Sequence, residues 1–192
     1  VARVRLLAAV VLAAIVVAAA AACGGGGGGR QEGDLSNLPT LTPTPVRTPK
    51  PRPSPVEGAF SGSGTPVQTQ ARVATVSGAE RITFAFDGDL PGYRVEYVDE
   101  VKRCASGEPV QLRGNAFMLV TFDPAAAHDD AGKVTVPSTS VRGFGSVVLE
   151  MQLVCDFEGK VQWAVGVADN QPFTVSTAQN PSALIIDVSS RR

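Results

Sequence analysis

The chain has 192 residues, 17 basic and 18 acidic, and a formal net charge of −1. That length allows one ordinary domain plus extensions, and the near-neutral balance excludes the basic face that a nucleic-acid binder needs to meet phosphates. A single histidine and three cysteines leave few side chains for a metal site, and no metal or other cofactor is expected.

The opening stretch, VARVRLLAAVVLAAIVVAAAAAC, sets Arg3 and Arg5 ahead of an uncharged apolar run from Leu6 to Ala22 that ends on small residues. This is the plan of an export signal. The run also approaches membrane-spanning length, so a retained helix is the competing reading. Cys23 follows the small residues directly, and the stretch resembles the lipobox of bacterial lipoproteins, with Ala20 standing where such boxes usually carry leucine. The resemblance implies cleavage before Cys23 and acylation of its thiol and new amine. One acyl chain binds a membrane only marginally, whereas a diacylglyceryl cysteine carries two. Val1 reads as an alternative start codon. Residues 1–22 are therefore expected to be a lipoprotein signal peptide. Cys23 is expected to be the lipid-bearing residue that holds an exported protein on the outer face of the cell membrane.

Residues 23–70 form a different material. Six glycines follow Cys23, and LPTLTPTPVRTPKPRPSP brings proline at nearly every second or third place; Phe60 is the only aromatic. Such a segment buries too little apolar surface to offset its ordering entropy, so a disordered linker is expected. Its reach from residue 24 to 70 is about 40 Å as a coil and at most about 145 Å in extended polyproline II.

From Ala71 the texture changes, and residues 71–192 are expected to be the folded domain. In ERITFAF, Ile82, Phe84 and Phe86 alternate with Arg81, Thr83 and Asp87 lies beyond. In GYRVEYVDEV, Tyr93, Val95, Tyr97 and Val101 oppose Arg94, Glu96 and Glu100. Period two marks half-buried strands. RVATVS, PVQLRG, AFMLVTF, SVVLEMQLVCDF, KVQWAVGVA, PFTVST and ALIIDVS are further strand candidates. Turn signals separate them, and FEGK is short enough to join residues 147–157 and 160–168 as a hairpin. PAAAHDDAG has room for one helical turn. Many short strands and no long amphipathic helix predict an all-β fold, an antiparallel sandwich or barrel.

Cys104 and Cys155 remain. In an exported protein their default state is a disulfide, with two unpaired thiols as the alternative. Cys155 is in step with Val147, Leu149, Met151 and Leu153, the expected inward face of its strand.

ERITFAFDGDLPGYRVEYVDEV, PAAAHDDAG, CDFEGKVQWAVGV and PFTVSTAQNPSALIIDV, in this order and spacing, resemble the AMIN-like domain of bacterial lipoproteins over about Arg72 to Ser189. The resemblance implies a β-sandwich. The ending is also similar to AMIN domains proper, cell-envelope modules of which some bind peptidoglycan. A non-catalytic module contacting cell-wall glycan is thus the implied function. An accessory lipoprotein that binds an envelope protein is the alternative, and an unrecognised enzyme a weaker one.

Few residues suggest chemistry. His128 lies beside Asp129 and Asp130, with Asp123 nearby, a grouping that invites a ligand contact; Asp-Asp-Ala-Gly is also ordinary turn chemistry. A metal needs more ligands than one histidine. HExxH, CxxC, GxSxG and P-loop patterns do not occur. Arg94, Glu96 and Glu100 are candidates for a polar binding face, with a merely solvated face as the alternative. Trp163, Tyr93 and Tyr97 share registers with aliphatics and are expected in the core rather than stacked on sugars. From Ala71 onward 11 basic residues face 15 acidic ones, a net of −4. Any wall contact is therefore expected to rest on hydrogen bonds and stacking, not on attraction to anionic polymers.

Overall fold

A computed structural model describes residues 51–190. The expected signal peptide, lipidated Cys23 and most of the expected linker lie outside these residues. The described chain is all β, as the alternation predicted. Ten strands run in chain order: β1 (Val56–Gly58), β2 (Val67–Val76), β3 (Ala79–Asp87), β4 (Gly92–Val98), β5 (Ala116–Asp123), β6 (Ser140–Arg142), β7 (Val148–Phe157), β8 (Lys160–Val167), β9 (Phe173–Ala178) and β10 (Ser182–Ser189). They form a six-stranded sheet ordered β1-β4-β5-β8-β7-β6 and a four-stranded sheet ordered β2-β3-β10-β9. The ladders between named strands are antiparallel.

The core lies between the sheets. Ile82, Phe84 and Phe86 of β3 and Leu184, Ile186 and Val188 of β10 come from one sheet. Val95, Met118, Val120, Phe122, Trp163 and Val165 come from the other. Trp163 and Phe84 are fully buried, and Tyr97 is nearly so, which meets the expectation for Trp163 and Tyr97. The rings of Phe84 and Phe86 pack edge-on to Phe122, with centroids 5.2 and 4.8 Å away. Such edge contacts suit the ring quadrupoles.

The β7–β8 hairpin forms as expected, with Glu158 and Gly159 both at positive φ. That is the two-residue loop whose twist matches its strands. The inward face of β7 differs from the plain alternation. Bulges fall between Val148 and Glu150 and between Leu153 and Cys155. Met151 and Leu153 still face the core, opposite Val165 and Trp163. After the second bulge the faces exchange: Cys155 stands opposite Gln162 on the outer face, and Asp156 opposite the core residue Val161. One extra residue inverts every side chain beyond it.

On that outer face Cys155 forms a disulfide with Cys104, with Cα atoms 5.3 Å apart. The bond staples residues 99–113 across the six-stranded sheet. Beneath them a second apolar cluster gathers Val101, Val154 and Ala164, with Val110, Leu112, Phe117 and Leu119 packed around it. PVQLRG is therefore not a strand. Val110 and Leu112 alternate because they cover this cluster, and the segment keeps a single bridge, Lys102 to Pro109. PAAAHDDAG forms no helical turn either. It is an irregular loop that buries Ala125 and Ala127 at one end of the core.

The ordered strands begin before Ala71. β2 starts at Val67, and β1 pairs with β4 through Val56–Val95, Glu57–Arg94 and Gly58–Tyr93. This end of the expected linker thus supplies an edge strand to the six-stranded sheet and the start of β2 to the four-stranded one. Gln68 explains the early start of β2: its buried side chain accepts the Trp163 indole N–H at 2.9 Å.

Candidate functional site

At one end of the sandwich the chain between β1 and β2 passes between two hollows, with Ala59 in the wall of both. The first is a groove of about 380 Å³. Glu57, Gly58 and Phe60 supply one wall, Gly92, Tyr93 and Arg94 of β4 the floor, and Thr121 and Asp123 of β5 the far side. The close fit of β1 on β4 depends on two glycines. A Cβ at Gly58 would overlap the Tyr93 ring, and one at Gly92 would come within 2.6 Å of the Asp123 carbonyl oxygen.

Charges in the groove are paired. The Arg94 guanidinium donates to both Glu96 carboxylate oxygens at 2.7 Å and also meets Glu57. The hydrogen bonds from Arg94 hold the Glu96 carboxyl below its ordinary range, against the opposing effect of burial. Asp123 lies 3.8 Å from Lys160. On the outer face Arg94 neighbours Thr121, whose hydroxyl accepts from the Gln162 amide at 3.0 Å. Carboxylate oxygens, guanidinium N–H groups and one aromatic residue, Phe60, thus border one sugar-sized hollow, while the Tyr93 side chain packs against the core. That set can accept from and donate to hydroxyls while a ring supplies an apolar face.

The other expected site residues are dispersed. Glu100 lies past the end of β4, where its carboxylate meets Lys102 at 3.0 Å on an exposed loop. His128 sits with Asp129 and Asp130 at a separate pocket, not at the groove. Its Nδ1 is 2.8 Å from Asp156 Oδ2, and Oδ1 of the same carboxylate accepts the Ala127 N–H at 3.0 Å. The Asp129 carboxylate closes its own turn, accepting the N–H groups of Ala131 at 3.0 Å and Lys133 at 2.9 Å. The turn reading of this stretch therefore accounts for Asp129, and Asp156 is the partner that spacing concealed. Among the described residues no three His, Cys, Asp or Glu side chains gather in a metal-holding group.

Sequence reasoning missed Glu57, Phe60 and Thr121 as groove residues. Glu57 and Phe60 fall in the expected linker, and Thr121 lies in a strand candidate whose pairing the sequence does not give; Tyr93 packs against the core, as expected. Phe60 carried a signal all the same, as the lone aromatic in a Pro/Gly-rich segment.

Set beside known proteins, residues 66–190 match the family model of the AMIN-like domain. The chain belongs to the AMIN-like domain family. No curated protein and no solved structure matches it. The AMIN-like match covers β2 to β10 and excludes β1 and Phe60, so one wall of the groove comes from chain outside the family unit. AMIN-like domains are cell-envelope modules, in general non-catalytic.

Proposed function

We propose that this protein is a membrane-anchored envelope lipoprotein whose AMIN-like sandwich contacts the glycan of peptidoglycan through the groove between β1 and β4. The observation that carries the reading is the groove itself, where Phe60 lies beside Glu57, Arg94, Thr121 and Asp123. An aromatic residue with paired hydrogen-bonding groups around it suits a neutral, hydroxyl-rich ligand. Family membership and the export-type leader agree with it. Lipidation of Cys23 and a linker over residues 24–55 hold the sandwich off the membrane within reach of the wall. The module acts by binding and carries out no reaction.

The test is retention of the full-length chain on purified peptidoglycan in mild detergent. The wild type is retained, and Phe60→Ala and Thr121→Val each weaken retention while leaving thermal unfolding nearly unchanged. No retention of the wild type would remove the glycan reading. Labelling with palmitate tests the anchor: uptake in the wild type and none in Cys23→Ala is expected, and label in the variant rejects it.

One observation favours a second reading, an envelope protein as partner. Phe144 is 88% exposed. Its loop is nonetheless pinned, because the buried Glu80 carboxylate accepts the N–H groups of Ser146, Val147 and Val148 at 2.7 to 2.9 Å. An aromatic held out on a fixed loop loses little freedom when it enters a partner's pocket. Loss of a co-purifying envelope protein in Phe144→Ser, with glycan retention intact, would support it.

A further inference from the structure

The second hollow beside Ala59 has a different chemistry from the groove. It encloses about 620 Å³ between residues 59–62, the β3–β4 turn and the β9–β10 turn. Its walls are tied together. The Ser182 hydroxyl donates to the Gly88 carbonyl at 2.7 Å, joining the two turns. The Asp89 Oδ2 accepts the Ser63 N–H at 3.2 Å, joining the β3–β4 turn to the segment after β1. Gly62 permits this second tie, since a Cβ there would overlap the Asp89 side chain. The β9–β10 turn is set by Asn180, at φ 58, one of the few side-chain-bearing residues that tolerate the left-handed region.

The lining narrows the ligand. Among the described residues no arginine, lysine or histidine borders the hollow, so none of them there compensates an anionic group. Among the described residues no aromatic ring borders it, so they offer no stacking face for a sugar. Hydroxyls of Ser61, Thr177 and Ser182, the amides of Gln179 and Asn180 and one carboxylate, Asp89, remain. Side-chain amides both donate and accept, as peptide groups require, and a carboxylate with one oxygen on a backbone N–H keeps capacity for a cationic donor.

We infer that this hollow takes a short peptide bearing a primary amine, with Asp89 receiving the ammonium and Gln179 and Asn180 the peptide groups. The inference rests on the glycan reading of the groove: because the two hollows share the wall at Ala59, a sugar in one places a peptide branch attached to it in the other. Ligand specificity then comes from the peptide, since the groove offers only hydroxyl- and ring-directed contacts.

Binding of the full-length chain in detergent to soluble probes tests this. The probes are a wall disaccharide, the same disaccharide carrying an amine-bearing tetrapeptide, the tetrapeptide alone, and the disaccharide-peptide with its amine acetylated. The disaccharide-peptide is expected to bind at least about tenfold more tightly than the disaccharide, the worth of one or two charge-assisted hydrogen bonds. Acetylation, Asp89→Asn and Gln179→Ala are each expected to remove that gain and leave disaccharide binding unchanged. Asp89→Asn keeps an acceptor for the Ser63 N–H, so the wall survives. Equal binding of disaccharide and disaccharide-peptide overturns the inference and leaves the groove standing. Binding of the tetrapeptide alone, lost in Asp89→Asn and unaccompanied by disaccharide binding, supports the hollow and overturns the groove. No binding of any probe overturns both.

Discussion

The Trp163 indole donates its N–H to Gln68 Oε1 at 2.9 Å inside a core where both side chains are fully buried. The bond crosses from one sheet to the other and sets where β2 begins. Gln68 Nε2 donates in turn to the Gln70 carbonyl at 3.2 Å, across the bulge that follows Gln68. The Gln68 carbonyl accepts the Thr135 hydroxyl at 2.6 Å. A buried donor stripped of its partner costs about 1–3 kcal/mol. Gln68→Met keeps the volume and removes the acceptor, so a loss of about 2 kcal/mol is expected. In the Trp163→Phe background the same change should cost distinctly less, because no indole N–H is left unpaired. A urea double-mutant cycle followed by circular dichroism measures the coupling; additive losses would show that the bond does not link the sheets energetically.

Glu80 holds the loop before β7 through three backbone N–H groups. Gln at this position loses the charge and turns one acceptor into a donor that faces N–H groups. A loss of about 2–3 kcal/mol is expected, since hydrogen bonds to charged groups are the stronger kind. Amide hydrogen exchange at Ser146, Val147 and Val148 should rise more than at β5. Uniform acceleration across the domain would mean that Glu80 supports the fold generally rather than this loop.

Two groups give the domain opposite pH limits. Burial pushes the Tyr97 phenol up to about 12, against the lowering effect of its backbone hydrogen bond with Gln171. The unfolded phenol titrates near 10. The folded value is the higher, so this contribution is complete below about pH 10 and is lost as pH rises towards 12. At the acid end, the hydrogen bonds from Arg81 at 2.7 and 2.8 Å hold the Asp187 carboxyl below its ordinary range. That contribution is present above about pH 4, the unfolded value, and fades as pH falls through the folded one. Chemical denaturation across pH is the measurement. Tyr97→Phe should flatten the alkaline limb alone and Asp187→Asn should reduce the acid slope alone; an unchanged alkaline limb in Tyr97→Phe would assign it to other groups.

Glu158 sits at φ 50 in the β7–β8 turn, ahead of Gly159 at φ 74. Asn before Gly is the favoured pair for such a turn, and it bears the left-handed region with less steric cost. Glu158→Asn should therefore stabilise the domain by about 0.5–1 kcal/mol, visible as a higher Tm. An unchanged or lower Tm would show that the turn bears no such strain.

Much of the fold was legible in the chain because burial on one face of a strand imposes period two on the residues themselves. Ile82, Phe84 and Phe86 announced β3, and FEGK announced the β7–β8 hairpin. The same rule misplaced Cys155 and misread PVQLRG. A bulge adds a residue without altering composition, and Val110 and Leu112 alternate over an outer cluster with no ladder beside them. The candidate site was less legible. Arg94 was singled out, but its partners Glu57 and Thr121 are distant in sequence, and Phe60 lay among prolines and glycines that predict no structure.

From residues alone came the apolar opening run that prompts the expectation of a leader, the Pro/Gly-rich stretch, the all-β class and the family resemblance. Each depends on composition or on a local period that any reader of the chain can see. Tertiary structure decided the rest: that Val56–Gly58 joins β4, that Asp156 meets His128, and that residues 59–62 divide two hollows of unlike chemistry. Those relations arise where distant segments meet, and strand pairing between such segments is set by the packed whole rather than by either segment.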